Sequence, residues 1–404
     1  MRFFLPIVWL AFCASAIAEI WPGFRGDGTS RTDANPPTTW SDDSNVAWTA
    51  ELPGYGQSSP VVWGDLVFTT STEGKSKDSL FVEARDLESG ELAWSKKLET
   101  SLKIEASKMV SLAAPTPAVD SERVYAFFES GDLIAFDHAG EEIWKRSLTT
   151  EFGAFKGMHG LGSSLAQTAD ALIVLAEHDG EAYLISIDKM TGESLWKIDR
   201  EARVSWSSPI VSGNRILISS NGVVEARNAA DGTEIWKIEG IEGNTVASPS
   251  VSEDGERIVI GSSAPRTCQA IDFGSGKSIW TASATSSFGS PLVFDGLVYF
   301  VNRAGALQCV DLSDGELLWE TRLPGSCWAS PMAAGGKIFC FCKDGGKALV
   351  LEPNRDEPKI IAENTLSSLG AEGDRIYGFA ATENSIVIRS GSRLVCVRGE
   401  SKAP

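Results

Sequence analysis

Four side chains of this sequence have the chemistry to recognise a ligand or a partner, namely His159, Arg200, Trp206 and Trp328. Glycines flank His159 and would let a ligand approach the imidazole, which could carry a proton or bind a metal. The guanidinium of Arg200 could hold a carboxylate by two hydrogen bonds, and the two indoles could stack on a flat ligand. Structural interpretations stay open beside these. The imidazole could bond its own loop, the guanidinium could pair with an acidic residue of a neighbouring unit, and the indoles could pack between sheets.

The sequence shows no pattern of a catalytic or metal-binding site. Serine is abundant, but no Gly-x-Ser-x-Gly turn leads into a predicted helix, as a hydrolase nucleophile would need. The three histidines, His138, His159 and His178, lie far in sequence from the cysteines in the second half of the chain. We therefore predict no catalytic residues and no metal site.

The elements that position the four residues belong to a repeated unit. Its signature is a small residue, Asp or Asn two positions later, Gly four positions beyond, and Trp four positions further on. The five clearest copies end at Trp94, Trp196, Trp236, Trp280 and Trp319. Another copy, with Gly140 and Trp144, is one residue shorter, and a degenerate copy around Glu352, Asp356 and Ile360 has lost both Gly and Trp. We expect each Gly to occupy a tight turn and each indole N–H to reach a partner in the next unit.

Each unit of roughly 40 residues is predicted to contain four short strands separated by Gly-containing turns, which is typical of a propeller blade. The last unit stops after three strands, and residues 45–52, with Trp48 at the matching position, supply the fourth. Closing the array in this way protects the sheet edges at its two ends. The sequence therefore predicts an all-β fold, an eight-bladed β-propeller of four-stranded antiparallel blades, with the last blade closed by the N-terminal strand.

We divide the 404 residues into a signal peptide at residues 1–18, a tail at residues 19–44 that packs on the ring, and one propeller at residues 45–400. Arg25 to Asp27 spells a cell-adhesion tripeptide, which we interpret as a coincidence within the tail. The formal net charge of −18 argues against nucleic acid and membrane-surface partners, and no other apolar stretch is long enough to insert into a bilayer. We expect a monomer.

The signal peptide predicts export. Arg2 supplies the positive start, an apolar run follows, and Ala16 and Ala18 mark a cleavage site. Cys13 raises the question of a lipoprotein, but the bulky Phe12 precedes it where a small residue is needed. We therefore expect a free periplasmic or secreted protein.

Six cysteines remain after cleavage: Cys268, Cys309, Cys327, Cys340, Cys342 and Cys396. An even number in an exported chain permits disulfides but establishes none. Cys340 and Cys342 are two positions apart on one predicted strand and face the same way. A bond from Cys327 to either of them would join the first two strands of blade 7, and the simpler interpretation is a buried thiol at every position.

The chain resembles the bacterial PQQ-like β-propeller repeat proteins, in which Asp-x-x-Thr-Gly-x-x-x-Trp is the tryptophan-docking motif. Residues 21–28, 124–128, 159–160, 200 and 205–209 carry the resemblance further. It covers nearly all of the chain after the signal peptide and implies the eight-bladed, quinoprotein-dehydrogenase-like fold. It implies no single activity, because one fold can carry unrelated functions.

Two uses of that ring imply different functions. The quinoprotein alcohol and glucose dehydrogenases hold pyrroloquinoline quinone (PQQ) and Ca²⁺ in the central funnel and use an Asp as general base. This chain lacks the adjacent Cys-Cys pair of the alcohol dehydrogenases, and it is shorter than these enzymes. The scaffold lipoprotein of the outer-membrane barrel-assembly machinery is close to this chain in length and has no catalytic residues, although this chain has no convincing lipobox.

We therefore predict an exported, non-catalytic binding or scaffold propeller that needs no cofactor. A protein partner or small molecule is expected on the funnel face around His159, Arg200 and Trp206, with Trp328 as a further contact. Two alternatives stay open. One is a small dehydrogenase of alcohols or sugars that depends on PQQ and Ca²⁺, and the other is a glycan-binding propeller that uses exposed aromatic side chains.

Overall fold

A computed structural model of the chain describes residues 19–105, 111–370 and 375–399. The predicted signal peptide and Cys13 lie outside these ranges. Helical structure in the described ranges amounts to a short α-helix at Leu148–Phe152 and one 3-10 turn at Ser367–Leu369. No helix in these ranges has the length and apolar character needed to cross a membrane.

The other elements form eight blades of four antiparallel strands, which confirms the predicted all-β eight-bladed propeller. Within each blade, consecutive strands pair as a meander, and two blades gain a short fifth strand from the N-terminal tail. The strands are Val61–Trp63, Leu66–Glu73, Ser79–Asp86 and Leu92–Glu99 in blade 1; Ala118–Val119, Arg123–Phe127, Asp132–Asp137 and Glu142–Ser147 in blade 2; Ala166–Gln167, Ala171–Ala176, Ala182–Asp188 and Ser194–Arg200 in blade 3; Ile210–Ser212, Arg215–Ser220, Gly222–Asn228 and Glu234–Ile241 in blade 4; Ser250–Val251, Arg257–Ile260, Cys268–Asp272 and Ser278–Ala282 in blade 5; Leu292–Phe294, Leu297–Val301, Ala306–Asp311 and Leu317–Arg322 in blade 6; Met332–Ala334, Lys337–Phe341, Lys347–Glu352 and Lys359–Thr365 in blade 7; and Ile376–Thr382, Ser385–Ser390, Arg393–Arg398 and Val46–Glu51 in blade 8.

The ring closes where the two ends of the chain share blade 8. Val46–Glu51 pairs antiparallel with Arg393–Arg398, and Trp48 lies opposite Cys396. First strands of neighbouring blades contact one another at several boundaries around the axis, including that of blade 8 with blade 1. Residues 45–52 therefore contain the fourth strand of the last blade, as the sequence predicts.

The hydrophobic core lies between the blades. Middle strands are apolar and buried because neighbouring sheets cover both of their faces, and all six residues of Ala171–Ala176 are buried. Fourth strands form the outer rim, where exposed residues alternate with half-buried ones along most of Leu92–Glu99. Burial therefore decreases from the inner strands to the rim of each blade.

An indole N–H crosses seven of the blade boundaries to a turn of the next blade. Trp94 of blade 1 donates to the carbonyl of His138 in blade 2 at 2.8 Å, and its ring lies against Gly140. The other bonds, at 2.8–3.3 Å, run from Trp48 to Leu87, Trp144 to Lys189, Trp196 to Ala229, Trp236 to Phe273, Trp280 to Leu312 and Trp319 to Asn354. The structure confirms the predicted role of the signature Trp.

The boundary between blades 7 and 8 is built differently. Blade 8 has no turn between its last two strands, because Arg398 and Val46 belong to opposite ends of the chain. A Trp on the fourth strand of blade 7 would have no such turn to dock on, and Ile360 stands there, 42% exposed. Trp40 of the tail fills this boundary instead. It stacks on Phe339 of blade 7 at a centroid distance of 6.4 Å, in a buried apolar cluster that includes blade 8.

The N-terminal tail crosses one end of the central channel. Ile20–Trp21 pairs antiparallel with the first strand of blade 1, and Arg31–Thr32 pairs parallel with the first strand of blade 7. Between them the buried guanidinium of Arg25 donates to the carbonyls of Pro249 and Pro291, just before the first strands of blades 5 and 6. Further tail contacts reach blades 2, 3, 4 and 8, so the tail touches every blade and closes this end.

Candidate functional site on the funnel face

The other end of the channel is formed by the connections between blades. Because successive strands are antiparallel, the segments that lead into each blade emerge at the same end as the turns between second and third strands. The tail lies at the opposite end, where Gly64, in the turn after the first strand of blade 1, donates to the carbonyl of Glu19 at 2.8 Å. We call the end with the lead-in segments the funnel face. His159, Trp206 and Trp328 all lie in such segments.

A belt of hydroxyl groups lines the channel where the first strands begin. A backbone N–H of one blade donates to a Ser or Thr hydroxyl of the next blade at 2.8–3.0 Å, in the pairs Ser59 to Thr116, Thr116 to Ser164, Ser164 to Ser208, Ser208 to Ser248, Ser248 to Ser290 and Ser290 to Ser330. Blade 8 has Gly378 instead, and the hydroxyl of Ser59 occupies the place that a Cβ would need. Small residues are required because eight strands converge here, and their hydroxyls also join the blades.

His159 and Trp206 form one patch of the funnel face, at blades 3 and 4. Their ring centroids are 5.7 Å apart and the planes are tilted by 42°. The indole N–H of Trp206 donates to the carbonyl of Gly160 at 3.0 Å, and Ser111 donates its N–H to the carbonyl of His159 at 2.9 Å. These bonds fix the glycine-rich segment, and both rings remain half-buried and partly accessible to solvent.

Arg200 is buried in an ion network between blades 3 and 4. Its guanidinium lies 2.9 Å from the carboxylate of Glu177 and pairs also with Glu225, which in turn lies 2.7 Å from Arg227. The side chain of Arg200 is 5% exposed and those of the two glutamates are 1% exposed. Burial alone would lower the pKa of Arg200, but the two carboxylates outweigh it and raise the pKa. The guanidinium is thus engaged in joining two blades, which is the structural interpretation that the sequence left open.

A second aromatic patch lies across the ring from blade 3 and contains Trp328. Phe288, Trp328, Tyr377 and Tyr55, from blades 6, 7, 8 and 1, follow one another at centroid distances of 5.3, 5.7 and 6.2 Å. The hydroxyl oxygens of Tyr377 and Tyr55 are 3.0 Å apart. We call these four half-buried residues the aromatic arc. The arc runs across the lead-in segments of blades 6, 7 and 1 and the start of the first strand of blade 8, where Tyr377 lies.

Two cations lie over the indole of Trp328. The Nζ of Lys343 and the Cζ of Arg375 are 5.2 and 4.8 Å from the ring centroid, within the range of cation–π attraction. The carboxylate of Asp344 lies 2.9 Å from Lys343 and 4.0 Å from Arg375. The group therefore has an excess of positive charge in a chain whose net charge is −18.

A buried guanidinium supports the tyrosine end of the arc. Arg389 of blade 8 donates to the hydroxyl of Ser58 at 2.7 Å and to the carbonyl of Gly391 at 3.3 Å. Complete burial lowers the pKa of Arg389 to about 9, against the opposing influence of Tyr55 and Tyr377. The bond to Ser58 ties blade 8 to the segment that leads into blade 1, so Arg389 contributes to ring closure next to the site.

The residues present do not fit a quinone cofactor with its Ca²⁺. Calcium takes about six to eight oxygen ligands, and among the described residues no group of three or more His, Cys, Asp or Glu side chains is arranged to hold a metal ion. The cavity beside Phe24, Tyr377 and Phe379 measures about 20 Å³, and a cavity under the tail, against blades 3 and 4, about 220 Å³. Both are smaller than the roughly 300–1,000 Å³ of usual small-molecule sites.

Sequence reasoning missed most of the aromatic arc. It selected Trp328 but not Phe288, Tyr377 or Tyr55, because these residues lie in different repeats without a common spacing. For Phe288 and Tyr55, position is the signal that could have found them, since an aromatic side chain in a lead-in segment lies at the funnel face; Tyr377 lies at the start of a first strand and gives no such signal. The same topology places Lys343 there, in the turn after the second strand of blade 7.

Comparison with known sequences identifies a family. Residues 29–158, 139–268 and 266–355 match the family described as "Outer membrane protein assembly factor BamB". The protein of that name from Yersinia pestis is 25% identical over 268 residues, which are 61% of this chain and 62% of the relative. Its namesake from Burkholderia pseudomallei is 22% identical over 352 residues, 75% of this chain and 87% of the relative. The chain thus spans less than two thirds of the Yersinia relative and most of the Burkholderia relative.

Solved structures share the fold. The crystal structure of BamB from Moraxella catarrhalis has a TM-score of 0.66 at 15% identity and covers 88% of this chain and 99% of its own. A europium-containing methanol dehydrogenase has a TM-score of 0.71 at 12% identity, with coverage of 92% and 90%. At these identities the likeness is one of architecture alone.

Proposed function

We propose that this chain, which belongs to the family of the outer membrane protein assembly factor BamB, is a non-catalytic scaffold of the bacterial cell envelope whose funnel face holds a protein partner. The family match spans most of the ring, and the relatives are named for the assembly of outer membrane proteins. We further propose that this chain takes part in the assembly of outer membrane proteins.

The observation that carries the proposal is the difference between the two ends of the channel. The tail closes one end with contacts to all blades, whereas the funnel face presents half-buried aromatic side chains. Aromatic residues and Arg are enriched where proteins bind one another, and aromatic rings bury a large area at little cost in conformational entropy. The aromatic arc and the His159–Trp206 patch are therefore the surfaces we propose for the partner.

Charge suggests the chemistry of the partner surface. Lys343 and Arg375 lie over Trp328, so a partner segment with an apolar side chain and a neighbouring carboxylate would satisfy both the indole and the cations. Arg200 acts in this proposal as a positioning residue, because its ion pairs hold together the two blades that carry His159 and Trp206.

We further propose that the protein is free in the periplasm. The bulky Phe12 precedes Cys13, where a lipoprotein signal needs a small residue.

Site-specific photo-crosslinking in the native envelope tests this function. A photoreactive phenylalanine analogue would replace Trp328 or Trp206 on the funnel face, with Leu195 on the outer rim, 54% exposed, as the control position. We expect the two funnel positions, and not the rim, to crosslink to a component of outer membrane protein assembly. Crosslinks at the rim alone would contradict the proposed face, and dye-linked alcohol or sugar oxidation after addition of PQQ and Ca²⁺ would contradict a non-catalytic role.

A further inference from the structure

Two cysteines of blade 7 lie close enough to react with each other. The Sγ atoms of Cys327 and Cys342 are 3.7 Å apart, and both residues are buried. Cys327 lies in the segment that leads into the blade, rather than on a strand, and Cys342 directly follows the second strand. The approach joins two segments of the funnel face that are adjacent in space but separated in sequence.

Main-chain bonds hold the two thiols together. The N–H of Lys343 donates to the carbonyl of Ser326 at 2.8 Å, one residue from each cysteine, and the N–H of Cys342 donates to the carbonyl of Lys347 at 2.8 Å. The thiol of Cys342 also contacts the carbonyl of Gly325 at 3.5 Å. The backbone therefore holds the two segments side by side, with the sulfurs 3.7 Å apart, compared with about 2.05 Å in a disulfide.

We propose that Cys327 and Cys342 form a disulfide in the exported protein, and this rests on the periplasmic location included in the proposed function. The oxidant is a disulfide-bonded oxidoreductase or a small disulfide of that compartment. The Cys342 thiolate attacks one sulfur of the oxidant, which leaves as a thiolate. Cys327 then attacks the sulfur of Cys342 in the mixed disulfide and releases the second thiol. Two electrons and the two thiol protons pass to the oxidant, which ends as a dithiol or as two thiols.

The surroundings of the other cysteines favour this pair. Burial raises the pKa of Cys268 and Cys309 to about 12 and that of Cys396 to about 11, and it raises the pKa of Cys340 as well. These thiols stay protonated and inert. The hydrogen bond from Cys327 lowers the pKa of Cys342, which makes it the attacking group. Both sulfurs are covered in the finished ring, so we place the exchange after blade 7 has brought the two thiols into contact and before the neighbouring blades cover them.

The bond would act on the proposed partner surface. It closes a loop between residues 15 positions apart and fixes the lead-in segment that carries Trp328 to the turn that carries Lys343. A cross-link of this kind restricts the unfolded chain and removes alternative positions of the loop. The disulfide would therefore preorganise the indole and the cation that lies over it.

Peptide mapping of the purified full chain tests the bond. The protein is refolded in a glutathione buffer that contains the oxidised form, remaining thiols are alkylated, and the non-reduced digest is analysed by mass spectrometry. We expect one linked peptide pair with Cys327 and Cys342, which is absent from Cys327→Ser and Cys342→Ser and retained in Cys340→Ser. Free thiols at both positions, or a bond from Cys327 to Cys340, would overturn the proposal.

Thermal denaturation provides a second readout. The oxidised protein should melt several degrees above its reduced form, whereas the double variant Cys327→Ala with Cys342→Ala should melt at one temperature in both buffers. Alkylation of the protein taken directly from the envelope then shows the state of the pair in the cell, and free thiols there would contradict its formation during export. Photo-crosslinking at position 328, carried out with and without the two cysteines, separates the proposals. If no crosslink forms when both cysteines are present, the scaffold function is contradicted even if the disulfide forms.

Discussion

The indole nitrogen of Trp48 lies 2.9 Å from the carbonyl oxygen of Leu87, across the boundary at which the two ends of the chain meet. Trp48 belongs to the N-terminal strand of blade 8, and Leu87 belongs to the turn between the last two strands of blade 1. The strand that completes the last blade therefore also docks that blade on the first one. Loss of this strand would remove a ladder of hydrogen bonds and a blade boundary together.

Gly90→Ala should weaken this docking. A Cβ at Gly90 would lie 2.5 Å from Cδ2 of Trp48, at a φ of +74°. Gly213→Ala is the matched control, because Gly213 has a φ of +59° but nothing within 4 Å of a Cβ. We expect the control to lose about 1 kcal/mol of unfolding free energy from backbone strain, and Gly90→Ala to lose about 1–3 kcal/mol more, both measured by urea denaturation. Equal losses would show that the contact with Trp48 does not stabilise the boundary.

The fold could be predicted from the sequence because its repeat acts locally. A turn Gly and a Trp recur at one spacing and form the same contact at six boundaries, so the pattern indicates the number of blades. The degenerate copy at Ile360 also has a reason, since blade 8 offers no turn for a Trp to dock on. The role of Trp40 could not be predicted, because the tail does not repeat and so offers no periodic pattern that would indicate what Trp40 contacts.

Arg25→Ala should loosen the tail from the ring. Arg25 is 4% exposed and donates to Ser30 and Ser250 as well as to the two proline carbonyls. Burial lowers the pKa of this guanidinium to about 9, and neutral acceptors hold its charge. Truncation would leave buried acceptors without a donor, so we expect a loss of about 3 kcal/mol and faster proteolysis of residues 19–32. Arg303→Ala, at an exposed position on the ring, is the control and should behave as wild type.

Arg200→Met should destabilise the ring because it leaves Glu177 and Glu225 buried with less positive charge. Glu225 keeps Arg227 at 2.7 Å, so most of the cost falls on Glu177. We expect a loss of about 3–5 kcal/mol in chemical denaturation, most of which Glu177→Gln in the same chain should restore. If Arg200→Met instead abolished partner crosslinking at unchanged stability, Arg200 would bind the partner directly.

The candidate site was less accessible to sequence reasoning than the fold. The positions of Trp206 and Trp328 at the funnel face follow from the topology alone. The Arg200 side chain points toward Glu177 and Glu225, which are 23 and 25 positions away in sequence. Only the register of the strands brings these residues together. Contacts of this kind do not repeat from blade to blade and therefore leave no periodic signal.

Stability should fall when the pH drops below about 6.5, the ordinary pKa of histidine, because of His178. Its Nδ1 accepts hydrogen bonds from the backbone N–H groups of Gly180 at 2.9 Å and Lys156 at 3.2 Å, so the neutral ring carries its proton on Nε2. Burial lowers the pKa of His178, so the unfolded chain binds a proton first and gains relative stability as the pH falls. Each lost hydrogen bond costs about 1 kcal/mol.

Thermal unfolding at pH 7.5 and 5.5 measures this effect. His178→Asn, which retains an acceptor but cannot titrate, should be less stable than wild type at pH 7.5 and should lose less on acidification. His138→Asn, at a histidine outside this network, is the control for the substitution itself. A pH dependence that is unchanged in His178→Asn would assign the effect to other groups.

Trp328→Ala should weaken partner binding without unfolding the ring. The indole is half-buried, and its neighbours Phe288 and Tyr377 lie in other blades, so truncation removes the centre of the arc and leaves the strands intact. Central aromatic anchors typically contribute at least 2 kcal/mol to binding, which predicts a loss of affinity of about 30-fold. The measurement is a titration with the crosslinked partner, with Leu195→Ala on the rim as the control. An unchanged affinity would contradict a central role of Trp328 and place the partner at the His159–Trp206 patch. There, Trp206→Phe, which loses the N–H bond to Gly160 and part of the ring area, should then show the loss.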